Sequence, residues 1–287
     1  MGPRISVVIN TFNEERNLPN ALRSVKPWAD EIVVVDMYSE DRTVEVAREF
    51  GAKVFFHERA GFADPARAYA FAQASGDWIL MLDADELVPA PLSRKLREIV
   101  ESDRADVVRI PRLNYLLGAP LLHAGWGPHQ DVHPRFFRRG CLQATNDVHD
   151  FLKPMPSSRI IELPFEPGSA VVHFNYLNAE HFIEKLNRYT SIQARQAFER
   201  AQQMTPACAV VIGVKEFLVR YLKTQGFRDG WRGFYLSAFM VFYRLATAAK
   251  LQELKAIGPR EAVEALYRQE AERILAAYGD SRLPDSR

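Results

Sequence analysis

The chain has 287 residues, 47% of them hydrophobic and 25% charged, with a formal net charge of +1. This is globular composition, enough for one large domain or a domain with an appendage, and it excludes a largely disordered chain or a general polyanion binder. Cys141 and Cys208 lie far apart with no Cys-x-x-Cys pair, which reads as a reduced, cytosolic chain whose thiols serve as packing.

Ile5 to Ile9 reads as a buried strand that breaks at Asn10-Thr11-Phe12-Asn13-Glu14-Glu15; Leu18, Ala21, Leu22 and Val25 then recur at helical spacing before Pro27. Glu31 to Asp36 repeats the pattern and ends in an acid, with Ser39, Asp41 and Thr43 placed to cap the next helix. A third strand, Lys53 to Phe56, precedes a helix near Asp64 to Ala74, and a fourth apolar run from Trp78 ends in Asp83-Ala84-Asp85-Glu86. Strands alternating with helices predict right-handed crossovers and a doubly wound, mostly parallel α/β sheet, whose ligands bind beyond the carboxyl ends of its strands. Carboxylates two residues apart repel unless a cation compensates them. Asp83 and Asp85 therefore point to a hard divalent ion with a phosphate on its far side, although such a pair alone also serves as a helix cap or as solvated acids. No Gly-x-Gly-x-x-Gly follows the first strand and no P-loop occurs, which excludes those two phosphate cradles. Acids and amides at the strand ends suit a base and ribose, leaving a pyrophosphate to the metal and an arginine. Arg67, in the helix before the acidic strand, is the candidate, or else a solvated surface residue.

Thr11-Phe12-Asn13-Glu14-Glu15, then Val35-Asp36 with Ser39, Asp41 and Thr43, then Leu82-Asp83-Ala84-Asp85-Glu86 resemble the successive signatures of family 2 glycosyltransferases. The resemblance implies the GT-A fold, a Rossmann-like mostly parallel sheet with flanking helices, and a nucleotide-sugar donor, with a UDP-sugar favoured. It assigns base and ribose contacts to Thr11, Phe12, Asn13, Glu14, Asp36 and Ser39, a phosphate contact to Arg67, and the sugar diphosphate with its Mg2+ or Mn2+ to Asp83, Ala84 and Asp85. Family members often carry Lys/Arg-Asn before the acidic strand. Here the pair is Arg67-Ala68, so any role of the amide is lost.

After Pro89 a helix to about Val100 leads into a strand at Ala105 to Ile110, and Leu113 to Val132 reads as a pocket-shaping loop. His129, Asp131 and His133 could place three ligands on one face of an extended strand, but Pro128 and Pro134 argue against a regular strand there. Arg135-Phe136-Phe137-Arg138-Arg139-Gly140 followed by Val148-His149-Asp150 resembles a pair of motifs in the bacterial lipopolysaccharide-core subgroup, with Asp150 where the subgroup has glutamate. This implies a cell-surface glycan or lipid-linked saccharide as acceptor. Inverting displacement needs a base at the acceptor hydroxyl: Asp150 is the first candidate and His149 the second, unless Asp150 only orients a loop. Arg135, Arg138, Lys185 and Arg188 are candidates for acceptor or phosphate contacts. His173 is another, and it could also complete a metal shell or be a buried, hydrogen-bonded histidine.

The expected division is a catalytic domain over 1–178 and a helical region over 179–287. From Lys215 to Ala256 eight Lys/Arg stand against three Asp/Glu among many aromatics, a mixture suited to an anionic membrane surface or to a helical hairpin with its charges in water. No recognised motif supports nucleic acid as a partner. The longest uncharged apolar stretch, Gly233 to Tyr243, is too short to span a bilayer, and no secretory signal is expected. The expectation is a metal-assisted inverting glycosyltransferase. A catalytically silent nucleotide-sugar-binding or membrane-docking protein, or a peptide-directed glycosyltransferase, are the competing readings.

Overall fold

The computed structural model describes residues 2–58, 64–144 and 152–280, which cluster into two compact units. The first contains residues up to Asn178 together with Thr224–Gly233; the second contains Ala179–Lys223 and the residues from Phe234 onward.

In the first unit β1 (Ile5–Thr11) is buried along its whole length. After helix α1 (Leu18–Val25) come β2 (Glu31–Asp36), α2 (Thr43–Glu49), β3 (Lys53–Phe56), α3 (Asp64–Gln73) and β4 (Trp78–Asp83). β1 lies between β2 and β4 and is parallel to both, while β3 flanks β2. Strands covered on both faces have no solvent side, which is why their sequences are unbroken apolar runs. One face packs Ile5, Val7, Ile9 and Leu80 on Leu18 and Leu22 of α1; the other packs Val8, Val33 and Ile79 on Ala70 and Ala74.

The second half of this sheet uses β5 (Glu86–Leu87), helix α4 (Ala90–Ser102), β6 (Val107–Leu116), β7 (Ala119–Pro120), β8 (Val132–Arg138), β9 (Leu142–Ala144), β10 (Leu152–Pro154), β11 (Ile160–Glu162) and β12 (Val171–Tyr176). The strand order is β3-β2-β1-β4-β8-β6-β12-β5. β8 runs antiparallel to both of its neighbours, so β6 regains the direction of β4, and β12 is parallel to β6. The carboxyl ends of β1, β2, β4, β6 and β12 therefore share one edge.

Two expectations are corrected here. The stretch expected as a loop from Leu113 starts as strand, because β6 continues to Leu116 and β7 pairs back on it. The segment around Pro134 is a strand despite the proline. Its register steps from Val108↔Phe136 to Arg109↔Pro134, so Arg135 is an extra residue in a β-bulge. A bulge relieves the ladder at the residue that cannot donate and re-aims its neighbour's side chain.

The second unit is helical: α5 (Ala179–Glu199), α6 (Pro206–Leu218) continued by a π-helical turn (Val219–Lys223), α7 (Gly230–Ala256, from Phe234) and α8 (Arg260–Asp280). A Cβ on Gly213 would lie 2.9 Å from Val241 Cγ1, so glycine is what allows α6 to approach α7 this closely. Phe217, Tyr221 and Phe234 pack edge and face on one another, and Phe182 stacks on Phe239 at 5.2 Å. Part of the aromatic content of the basic stretch is thus used between helices, while Phe227, Trp231, Tyr235 and Phe242 stay exposed. Among the described residues no helix is long and apolar enough to cross a membrane.

Candidate active site at the carboxyl edge of the sheet

At the tips of β1 and β2 the parallel register sets Thr11 beside Asp36. The Thr11 hydroxyl donates to Asp36 Oδ2 at 2.9 Å, and Ser39 donates its N–H to Oδ1 at 2.7 Å and its hydroxyl to Oδ2 at 2.6 Å. The two loops are laced further: Asn13 N–H donates to Ser39 Oγ at 2.8 Å, Glu40 N–H to Asn13 Oδ1 at 2.8 Å, and Glu14 N–H to Thr43 Oγ1 at 2.7 Å. Asn13 takes φ 56°, a left-handed turn conformation that asparagine tolerates well. Asp36 is fully buried with three internal donors, so its carboxylate holds the loops together, while Asn13 is exposed and Phe12 and Glu14 are half-buried. Next to Thr11, Asn10 is buried in register with Asp83, and its Nδ2 has no acceptor among the described residues.

At the tip of β4 the acids enter a buried ionic network. Arg67 Nη2 lies 2.7 Å from Asp83 Oδ1, and Arg135 Nη2 lies 3.5 Å from Asp83 Oδ2. Burial would raise the Asp83 pKa, but the guanidiniums of Arg67 and Arg135 outweigh it and hold the carboxyl well below its usual range. The bulge at Arg135 places its other nitrogen 2.5 Å from Glu86, which is completely buried and also accepts the Asp83 N–H at 2.9 Å. Arg112 joins Glu86, at 3.4 Å, to Asp131, which it contacts through two nitrogens at 2.8 and 3.1 Å. Asn114 donates to Asp131 Oδ2 at 2.5 Å and to the Trp126 carbonyl at 2.8 Å.

Those two acceptors orient the Asn114 amide, so its Oδ1 faces His173 Nδ1 at 2.7 Å and Nδ1 must carry the proton. β12 is latched to the acidic turn by its pairing with β5 and by the Phe174 N–H donating to the Asp85 carbonyl at 3.0 Å. His173 Nε2 is thereby set 3.4 Å from Asp85 Oδ2. Carboxylate and imidazole thus face each other at a separation that either a proton on Nε2 or a metal ion can bridge. Around the pair, the carboxylates of Asp83, Glu86 and Asp131 are met by the guanidiniums of Arg67, Arg112 and Arg135.

The other expected residues are distributed as follows. Ala84 is buried in the turn between the two acids. Arg138, expected as an acceptor or phosphate contact, lies instead at the opposite end of β4, 5.3 Å over the Trp78 ring and paired with Asp103 and Asp106, so that expectation is withdrawn. Arg135, expected in the same role, is 4% exposed in its side chain and bound to Glu86 and Asp83, which makes it a support for the acids. Arg67, expected on a phosphate, pairs with Asp83. Asp131 gives its carboxylate to Arg112, Asn114 and His133, so the His129, Asp131 and His133 triplet is not a metal set. Lys185 and Arg188 lie on α5 in the second unit, and Asp150 and His149 lie outside the described residues. Arg112, Asn114 and Asn10 were not anticipated, and Asp131 was singled out only within the His129, Asp131 and His133 triplet. The available signal was charged or amide residues inside otherwise apolar strands, which requires buried partners.

Residues 6–150 match the family model described as Glycosyl transferase family 2. An "Uncharacterized glycosyltransferase" of Rickettsia bellii (strain RML369-C) is 27% identical over 265 residues, covering 88% of this chain and 87% of that one. The "Lipopolysaccharide core biosynthesis glycosyltransferase LpsC" of Rhizobium meliloti (strain 1021) is 26% identical over 271 residues, covering 91% and 96%. Among solved structures, S. aureus TarS 1-349 in complex with UDP is similar at 15% identity and a TM-score of 0.44, covering 93% of this chain and 92% of that chain. With its strands in this order and its match over half of its length, the chain belongs to glycosyl transferase family 2 and is a glycosyltransferase with a GT-A fold followed by helices.

Proposed function

We propose that the chain is an inverting glycosyltransferase that moves a sugar from a nucleotide-sugar donor, for preference a UDP-sugar, to a cell-surface glycan or lipid-linked saccharide at the inner face of the cell membrane. The observation that carries this reading is the Asp85–His173 pair, a carboxylate and an imidazole set 3.4 Å apart at the edge where a parallel sheet binds its ligands. Carboxylate oxygen and imidazole nitrogen fit Mn2+ well, and Mg2+ through the carboxylate. The seat is therefore Asp85 with His173. Asp83, first expected to share it, is already compensated by Arg67 and Arg135.

Among the described residues no group of three or more His, Cys, Asp or Glu could hold a metal by itself, so the ion and the donor's diphosphate would complete each other's shells. A bound ion compensates charge on the departing diphosphate. The chain's own groups hold the rest of the donor. Thr11, Phe12, Asn13, Glu14 and Ser39 frame the base and ribose on the loops that Asp36 fixes, and the orphan Nδ2 of Asn10 offers a donor to an acceptor atom of the ligand. Asp83, fixed by two arginines, presents its remaining lone pairs to a hydroxyl of ribose or sugar. Asp150 removes the acceptor's proton, with His149 as the second choice. The acceptor class is supported by the similarity to LpsC over nearly the whole chain.

The test is a thermal-shift panel of nucleoside diphosphates and nucleotide sugars with and without Mn2+, followed by transfer assays on the wild type and Asp150→Asn. A Mn2+-dependent shift confined to one base, with transfer lost by several orders of magnitude in the variant and binding kept, is the expected result. Nucleotide binding without any transfer or donor hydrolysis by the wild type would favour the catalytically silent reading.

A further inference from the structure

Helix α6 is capped by Thr205, whose hydroxyl accepts the Cys208 N–H at 3.2 Å, and has Pro206 in its first turn. Its inward side is set by Ala209 and Gly213, and continues through Glu216, which pairs with Arg220 at 2.8 Å and Arg244 at 2.7 Å. Helical spacing puts Val211, Val214, Leu218 and Leu222 on the opposite side. There they are exposed, Val211 by 66% and Leu222 by 55%. Val210 and Val219 widen the strip, and Lys215 and Lys223 are the charged residues that line it. The strip runs about 18 Å along the helix and its π-helical continuation. A monomer rarely leaves so continuous an aliphatic face in water.

We propose that this face of α6 and its π-helical turn is a docking surface for an anionic lipid bilayer, with the helix lying in the plane of the interface. Branched aliphatic side chains without aromatic or acidic company fit acyl chains. Lysines bordering such a strip bury their stems along it and carry their ammonium groups to the phosphate level. Charge complementarity selects this occupant. A second copy of the chain meeting the same face about a two-fold axis would set the lysine pairs of the two copies near one another, whereas anionic headgroups compensate them. The surface belongs to the second unit and the inference does not depend on the donor site, so the two stand or fall separately.

The experiment is flotation of the full chain with vesicles of phosphatidylcholine alone or mixed with phosphatidylglycerol. Three forms are compared: wild type, Val211→Glu/Leu222→Glu, and Lys215→Gln/Lys223→Gln. All four substituted residues lie on the outward side of the helix, and circular dichroism with the nucleotide thermal shift reports whether each variant is folded. The expected result is wild-type binding to the phosphatidylglycerol vesicles that weakens with salt, at least tenfold weaker binding in the glutamate variant, and about fivefold loss per lysine removed. Wild-type chain that stays unbound, or folded glutamate variants that bind as well as wild type, would overturn the proposal. A wild-type dimer that ignores vesicles and is dissolved by the glutamate substitutions would overturn it in favour of a second copy.

Discussion

The two edges of one sheet handle charge in different ways. At the amino edge every acid in the cluster is met by donors from the chain. Glu31 receives Ser6, Lys53 and both donors of Ser75, Asp77 takes the Arg4 N–H, Asp30 takes the Ile5 N–H, and Asp106 is met by Arg138 and Arg159. At the carboxyl edge Asp83, Glu86 and Asp131 are met by Arg67, Arg112 and Arg135, and Asp85 is set 3.4 Å from the His173 imidazole. The closed edge serves folding; the open edge is the one proposed to take the donor and its ion. The same acidic residue type is thus read differently at the two ends, and only the neighbours distinguish them.

Substitutions at the open edge should sharpen that contrast most. Asp85→Asn keeps the shape of the side chain and removes the charge, so turnover should fall by about a thousandfold or more while the melting temperature stays within a few degrees. A steady-state transfer assay beside a thermal melt checks both halves. Glu86→Ala would leave Arg112 and Arg135 buried around a missing charge, and should cost about 3–5 kcal/mol in denaturant unfolding. If Glu86→Ala unfolds at the wild-type midpoint, the network is not a structural unit.

The closed edge makes the next prediction. Burial would raise the Glu31 pKa, but the Lys53 ammonium, Ser6 and Ser75 outweigh it and lower it from 4.5 to about 2. A depressed folded-state pKa means that the fold prefers the ionised form, so this stability is present above pH 4.5 and is lost as pH falls toward 2. Its size is about 2–3 kcal/mol. Unfolding free energy measured between pH 6 and pH 2.5 should therefore flatten in Glu31→Gln relative to wild type, and parallel curves would remove Glu31 from the account. The smallest stability effect is expected at Asn10→Leu. Replacing an orphan buried donor with an isosteric alkyl group should change stability by no more than about 1 kcal/mol, while nucleotide affinity falls about tenfold. Unchanged affinity would make Asn10 a bystander.

The parallel half of the sheet was legible because each strand is a local apolar run and each functional residue sits at its end: Thr11 after β1, Asp36 closing β2, Asp83 closing β4. The other half was not, for a physical reason. β8 enters the sheet antiparallel between β4 and β6 across a long sequence separation, and a bulge turns Arg135 toward Glu86, an outcome that no local spacing announces. His173 was legible as a candidate, but its role depends on Asn114, 59 positions away, and on β5 pairing with β12. Reasoning from charge asked for a metal at both carboxylates, and the structure sets the guanidiniums of Arg67 and Arg135 against Asp83. Arg67, expected on a phosphate, lies in the expected helix and pairs with Asp83. In the basic and aromatic stretch Phe217, Tyr221 and Phe234 pack on one another while Phe227, Trp231, Tyr235 and Phe242 stay exposed, and the apolar strip overlaps the start of that stretch from Lys215 to Lys223, among valines and leucines that composition alone does not mark as surface.

The central claim is that the donor's metal ion binds at the carboxyl edge between Asp85 and His173. Titration calorimetry of UDP into the wild type and Asp85→Asn, each with and without Mn2+, tests it most directly. The account predicts that Mn2+ strengthens binding to the wild type at least tenfold, and that the variant binds UDP with the same weak affinity whether or not Mn2+ is present. An equal Mn2+ enhancement in both proteins would contradict it.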